Sequence, residues 1–456
     1  MPGGIAMRII LGSALLTGAC CAASEGGGWR AGAGVADITP TGPVWMAGYA
    51  SRSHAAEGTL HPLHVKALAL EDGAGTRGLL LTSELLGFPP ETAQRLSDLL
   101  CRAHTLPRSA VMLSCSHTHS GPVLPHALSD IYPLDGEARE AIEAYGTVLE
   151  ARVMEAARQA FGTMEPVTLA SGAGITRFAV NRRENIEAQI FENAFVKGPS
   201  DHTVPVIRVS RSDGSLLAVV FGYACHATVL DGYQWSGDYP GCAQTELEAA
   251  HPSATALFFA GCGADQNPMP RRTVERARQY GRELAAAVDR VLGEGMVPLE
   301  ARLETQHREI ELALAEVPGA DRLAELAHST TGYEQRCYTR MLADARAGHL
   351  FPQTLPYPVQ LWRLGNQSLL ALGGEVVVDY ALSAKRMLGP DTFVMGYANG
   401  VVGYIPSERI LHEGGYEGKV AQVVYGLPAA WSDDVEKRIL VGIAETAREA
   451  GLEVKE

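Results

Sequence analysis

The sequence predicts an α/β fold in which mixed β-sheets are flanked by helices. Three observations predict it. Short apolar runs, too brief for helices and bounded by turn residues, recur along the chain. Longer segments with helical apolar periodicity and charged outer faces stand between them. The runs are apolar on consecutive residues rather than alternate ones, which is the pattern of strands covered on both faces. In order, residues 78–82, 111–115, 204–209, 216–223, 256–260, 369–372 and 393–396 read as buried strands. Residues 91–104, 136–161, 273–292 and 433–450 read as helices, with a further helical stretch between about 320 and 347. A glycine-rich stretch, residues 26–34, precedes the expected start of the fold at Val35. No internal repeat, heptad run or Pro/Ser/Gly-rich linker follows residue 34, and the motifs run from residue 37 to residue 418. One catalytic domain over residues 29–456 is therefore expected.

Hydrophobic residues make up 46% and charged residues 20% of the 456, an ordinary globular balance. Formal net charge is −14 and no Lys/Arg cluster relieves it. That argues against nucleic acid as a partner and against docking on an anionic membrane through a basic patch. Residues 1–23 carry one positive charge, Arg8, then an apolar run and a small-residue exit, the parts of a secretory signal. The run is too short to span a bilayer of about 30 Å, so no transmembrane helix is expected in the mature chain. Thr17-Gly-Ala-Cys20 also resembles a lipobox, which would put a lipid anchor on Cys20. The expected location is outside the cytoplasm: periplasmic, secreted or lipid-anchored to the envelope.

Six cysteines lie beyond that segment: Cys101, Cys115, Cys225, Cys242, Cys262 and Cys337. Their number permits disulfides, and several sit in apolar runs where a cysteine serves as a small buried hydrophobe. No CxxC pair is present, which argues against a thiolate zinc site.

Chemistry gathers at the ends of the apolar runs. Leu113-Ser-Cys-Ser-His117-Thr-His119-Ser-Gly-Pro122 ends one strand in two histidines. In an extended segment their side chains would share one side. Phe221-Gly-Tyr-Ala-Cys-His226 ends a second, and Trp235-Ser-Gly-Asp238-Tyr-Pro-Gly241 reads as a turn carrying one acid. Leu257-Phe-Phe-Ala260 runs into Gly261-Cys-Gly-Ala-Asp265-Gln-Asn267-Pro268, whose glycines permit close backbone approach. Gly374-Glu375 places a carboxylate after another strand, and Asn399, Tyr404, Tyr416 and Glu417-Gly418 follow. Histidine, glutamate and tyrosine offer the N and O ligands that zinc takes in a four-coordinate site.

In that order, Ala36-Asp-Ile-Thr-Pro, His117-Thr-His-Ser-Gly-Pro, Cys225-His226, Asp265-x-x-Pro268, Gly374-Glu375 and Asn399…Tyr404…Tyr416-Glu417-Gly418 resemble the neutral or alkaline non-lysosomal ceramidase family. The resemblance implies the fold of that family's catalytic domain and a zinc amidase that cleaves an N-acyl bond through zinc-activated water. Its substrate would be a lipid or small-molecule amide, ceramide in the family. Carried across, the zinc ligands would be His117, His226, Glu375 and Tyr404. His119 would transfer a proton, Tyr416 would donate to the oxyanion, and Arg182 would face the substrate beside Asp265 and Asn267. Two departures count. The family has a serine where this chain has Asn267, which removes a serine nucleophile there. The chain also stops soon after the last motif, leaving no room for the family's C-terminal β-sandwich. Both favour a substrate smaller or more polar than long-chain ceramide. An ester, a lactone or a sugar-linked amide remains open as the target bond, as does an exported zinc-binding protein without catalysis.

Overall fold

The computed structural model describes Met1 and residues 27–128, 130–192 and 195–455. The signal and lipobox residues, and so Cys20, lie outside the described residues. A large mixed sheet contains strands β1 (Trp29–Asp37), β2 (His64–Glu71), β3 (Arg77–Ser83), β4 (Val111–Cys115), β5 (Glu165–Ile175), β6 (Thr203–Arg211), β7 (Leu216–Tyr223), β8 (Thr255–Ala260) and β9 (Val297–Leu299). Their spatial order is β8-β7-β6-β5-β1-β2-β3-β4, with β9 pairing β5. The pairs β3/β4 and β7/β8 are parallel and the rest antiparallel. A second sheet follows: β10 (Leu303–Ala313), β11 (Thr354–Leu364), β12 (Gln367–Leu372) and β13 (Phe393–Met395), the last pair parallel.

Helices α1 (Pro90–His104), α2 (Gly136–Gly162), α3 (Asp238–Ala250) and α4 (Val274–Gly293) cover one face of the large sheet. Its other face packs on the second sheet, where Leu68, Leu80 and Met112 meet Trp362, Leu369 and Met395. The second sheet's outer face is covered in turn by α7 (Val378–Leu388) and α8 (Val435–Glu449), while α5 (Ala320–Ser329) and α6 (Gly332–Arg346) pair with each other and pack around Val423. Strands β3, β4, β7, β8, β12 and β13 are buried along nearly their whole length, which is why those runs read as continuously apolar, whereas β1, β5 and β10 keep exposed positions.

Two local expectations change. The fold starts before Val35: β1 begins at Trp29, inside the glycine-rich stretch. A Cβ on Gly32 or Gly34 would lie 2.1 Å from the carbonyl oxygens of Ala160 or Ala156, so glycine there lets α2 lie directly against the strand. Residues 238–241 are not merely a turn but the first turn of α3, entered through Asp238 at φ +56°. The Asp238 carboxylate is buried and accepts from the backbone N–H groups of Leu230 and Tyr239. The six cysteines form no disulfide; all are free thiols, and burial pushes Cys115 and Cys242 up to about 12.

Candidate active site

The parallel strand pairs aim their C-terminal ends at one place, the usual seat of a site in a mixed α/β sheet. Beyond β4, His117 takes φ +58°, a left-handed turn. The two histidines therefore converge through a turn rather than through strand alternation, and their Nε2 atoms come within 3.3 Å. Asp238, Tyr397 and Asn399 share the positive φ. Such strained backbone concentrates at functional loops. Asn399 joins the two sheets, exchanging hydrogen bonds with Leu113 in β4.

His117 Nδ1 donates to the Leu86 carbonyl at 2.7 Å, and His226 Nδ1 to the Gly263 carbonyl at 2.8 Å. A carbonyl only accepts, so both rings carry their proton on Nδ1 and, when neutral, turn an Nε2 lone pair inward. Burial, helped by Arg182, lowers His226 to about 4 and keeps it neutral. Glu375 Oε2 lies 3.1 Å from His117 Nε2 and 3.3 Å from His226 Nε2. Burial alone would raise this carboxyl; only positive charge on its histidine side, from protonated rings or a cation in their place, holds it well below the usual carboxylate range. Oε1 accepts from the Tyr425 hydroxyl, whereas Oε2 is buried without a donor. An anionic oxygen facing two imidazole lone pairs needs a cation between them. His117, His119 and His226 each offer a ring nitrogen within 4.8 Å of the others, a group that could hold a metal ion.

Tyr404 pairs with Glu375 across a short parallel ladder, which sets its hydroxyl 3.3 Å from His226 Nε2. Arg182 Nη2 donates to that hydroxyl at 3.1 Å, Nη1 to Asn267 Oδ1 at 3.3 Å, and Nε to Glu417 at 2.7 Å. Its guanidinium lies 5.8 Å from the ring centres of both Tyr404 and Tyr416. Tyr416 is 44% exposed, so its phenol reaches the open side of the site. Asp265 stands apart from the histidines: its carboxylate accepts from Asn181 and from the Val378 N–H at the start of α7. Burial raises it to about 6.

A family model, neutral/alkaline non-lysosomal ceramidase N-terminal, matches residues 29–266, more than half of the chain. The chain belongs to the neutral/alkaline non-lysosomal ceramidase family. Among solved structures, neutral ceramidase from Pseudomonas aeruginosa is 19% identical with a TM-score of 0.72, covering 94% of this chain and 75% of that one. A ceramidase complexed with C2 is 18% identical with a TM-score of 0.70, covering 94% and 76%. At those identities the likeness is one of fold. No curated protein matches. The chain is thus a ceramidase-like hydrolase, and among the described residues no helix is long and apolar enough to cross a membrane.

Beside the histidines of this ceramidase-family fold opens a cleft of about 470 Å³. Arg182, Arg183, Arg271, Glu184, Glu187, Glu413 and Glu417 line it with Asn185, Asn267, Met269 and Tyr416. Glu417 bridges Arg182 and Arg183 at 2.7 Å each, and Glu187 engages Arg271 at 2.6 Å. Sequence reasoning quoted Glu417 only as part of a motif and missed Tyr425 altogether. Glu417 stands beside Tyr416 in the sequence, whereas Tyr425 follows an apolar stretch that gives no sign of a polar partner. The Leu86 and Gly263 carbonyls had no side-chain signal to find.

Proposed function

We propose that this chain is an exported zinc-dependent hydrolase of amide bonds, with His117, His226, Glu375 and Tyr404 as ligands. The observation that carries the reading is the orphaned, buried Glu375 Oε2 between two inward Nε2 atoms whose tautomers are set by carbonyls. The donor set, two imidazoles, a carboxylate and a phenol, suits zinc better than the harder cations. When bound, zinc acidifies water toward a pKa of about 7 and polarises a carbonyl. Around it, burial and the Glu375 charge push the Tyr404 phenol well above its usual range, and the Arg182 N–H that its oxygen accepts offsets this in part. His119, lowered well below the usual histidine range chiefly by burial, is a neutral base at working pH. It accepts a proton as the nucleophilic oxygen attacks and returns it to the leaving amine. Tyr416, a phenol that keeps its proton at neutral pH, donates to the developing oxyanion. Asp265 acts by positioning: its carboxylate ties this loop to α7 and to Asn181, and its carbonyl accepts from the Arg182 N–H.

The charged cleft supports a hydrophilic substrate. A hydrocarbon chain lying there would cover the solvated edges of seven charged side chains, six of them paired with one another, and return no hydrogen bonds. Asn267 adds a side-chain amide to that wall where the family serine would offer one hydroxyl. Export, with a lipid anchor on Cys20 as one form of it, rests on the pattern of residues 1–23. The test combines elemental analysis of the purified protein with turnover of matched N-acyl amines, from short and polar to long-chain ceramide. About one zinc per chain and preference for polar amides are expected. Cleavage of matched esters or lactones but no amide would refute the bond assignment. Ceramide turned over as efficiently as the best polar amide would refute the substrate class.

A further inference from the structure

His117 and His226 are fixed by hydrogen bonds at Nδ1; His119 is not. Its Nδ1 is buried and has no partner. Something else must hold this ring, and one segment far upstream grips it three ways. Gly48, at φ +104°, forms the floor: a Cβ there would lie 2.4 Å from His119 Cγ. Tyr49 forms a wall, its ring centre 4.8 Å from that of the imidazole. Arg52 holds the backbone, its Nη2 donating to the His119 carbonyl at 2.8 Å while Nη1 donates to the Gly232 carbonyl at 2.7 Å.

Arg52 is an uncommon residue to find in that place. It is 3% exposed and its Nε has no partner. The acid whose charge reaches it, Asp231, is engaged by Arg272 at 3.2 Å. A buried guanidinium ordinarily sits on a carboxylate; this one sits on two carbonyls, between the rings of Tyr49 and Tyr233 at 5.4 and 5.2 Å. The two carbonyls belong to the loop carrying His119 and to the loop that follows His226. The fork geometry of arginine spans both, which a single ammonium cannot do as well.

We infer that Arg52 is a positioning residue for His119, clamping its backbone because no hydrogen bond at Nδ1 fixes its ring as one does in His117 and His226. The inference rests on the reading of His119 as the proton-transfer group. Arg52→Met keeps length and apolar packing but removes both donors. Its expected effect is a fall in kcat of about 10- to 100-fold, the scale of a small misplacement of a reacting group, with KM and zinc content unchanged. Arg52→Lys should fall between wild type and Arg52→Met. In a His119→Ala background Arg52→Met should cost nothing more, because the residue it positions is gone. A further loss of similar size in that background, or loss of zinc, would overturn the inference. If Arg52→Met does not fold, Arg52→Lys carries the same cycle. If wild-type protein turns over no amide, ester or lactone, the proposed reaction fails on its own account. The clamp is then tested by a crystal structure of Arg52→Lys, and an undisplaced His119 ring and carbonyl would overturn it.

Discussion

Replacing Glu375 by glutamine keeps shape and the acceptor for Tyr425 but removes the charge. Any cation held among His117 Nε2, His226 Nε2 and Glu375 Oε2 lies within about 4 Å of that carboxylate, where a pair of unit charges is worth about 4 kcal/mol at an effective dielectric of 20. The expected loss is therefore at least about a thousandfold in zinc affinity. Zinc at a thousand times its Kd stabilises the wild type by about 4 kcal/mol. With an unfolding entropy of about 2.1 cal/mol/K per residue, that raises Tm by roughly 4–5 °C for a chain of this length. Glu375→Gln at the same zinc concentration gains less than about 1 °C. The metal-free proteins should order differently. Glutamine brings an NH₂ that can donate to an Nε2 lone pair, where the carboxylate Oε2 has no donor at all. Metal-free Glu375→Gln should thus be at least as stable as metal-free wild type. Titration calorimetry and thermal scans after chelation read both quantities. Unchanged zinc affinity, or a metal-free variant several degrees less stable than metal-free wild type, would show the reasoning wrong.

His119→Ala should retain zinc by elemental analysis and lower kcat by roughly 10²–10⁴, the usual share of a positioned acid or base; undiminished turnover at neutral pH removes His119 from the reaction. Burial raises Asp238 to about 6 in the folded chain, against about 3.9 unfolded, so the folded state binds more protons between those values and this group's contribution to stability declines as pH rises from about 4 to 6. The Tm of Asp238→Asn minus that of wild type should accordingly increase over that window, and a flat difference contradicts it. Gly34→Ala should destabilise by about 1–3 kcal/mol through overpacking against α2, read as a lower denaturation midpoint, and an unchanged midpoint contradicts the direct strand–helix contact.

Much of the architecture was legible in the chain itself. Buried strands reveal themselves by composition alone, so β4, β7, β8, β12 and β13 lie where short apolar runs stand. The helices that cover them follow from periodicity, and α5 and α6 fill the stretch expected to be helical between 320 and 347. The residues of the site were legible for a related reason: histidine or glutamate directly after an apolar run is a local pattern. What the sequence could not carry was anything decided by a distant partner. Glycines 32 and 34 read as lying before the start of the fold because their reason, the carbonyls of α2, lies more than a hundred residues away. Asp238 read as a turn because the N–H of Leu230 that it accepts is presented by another loop. Single residues could name the candidate ligands, but the Nδ1 tautomers of His117 and His226 hang on the carbonyls of Leu86 and Gly263, which any residue type supplies. The chain's own order thus determined which side chains arrive at the site. Only the tertiary structure decided how each is turned and charged, because orientation and ionisation depend on hydrogen bonds and burial contributed by backbone that carries no sequence signature.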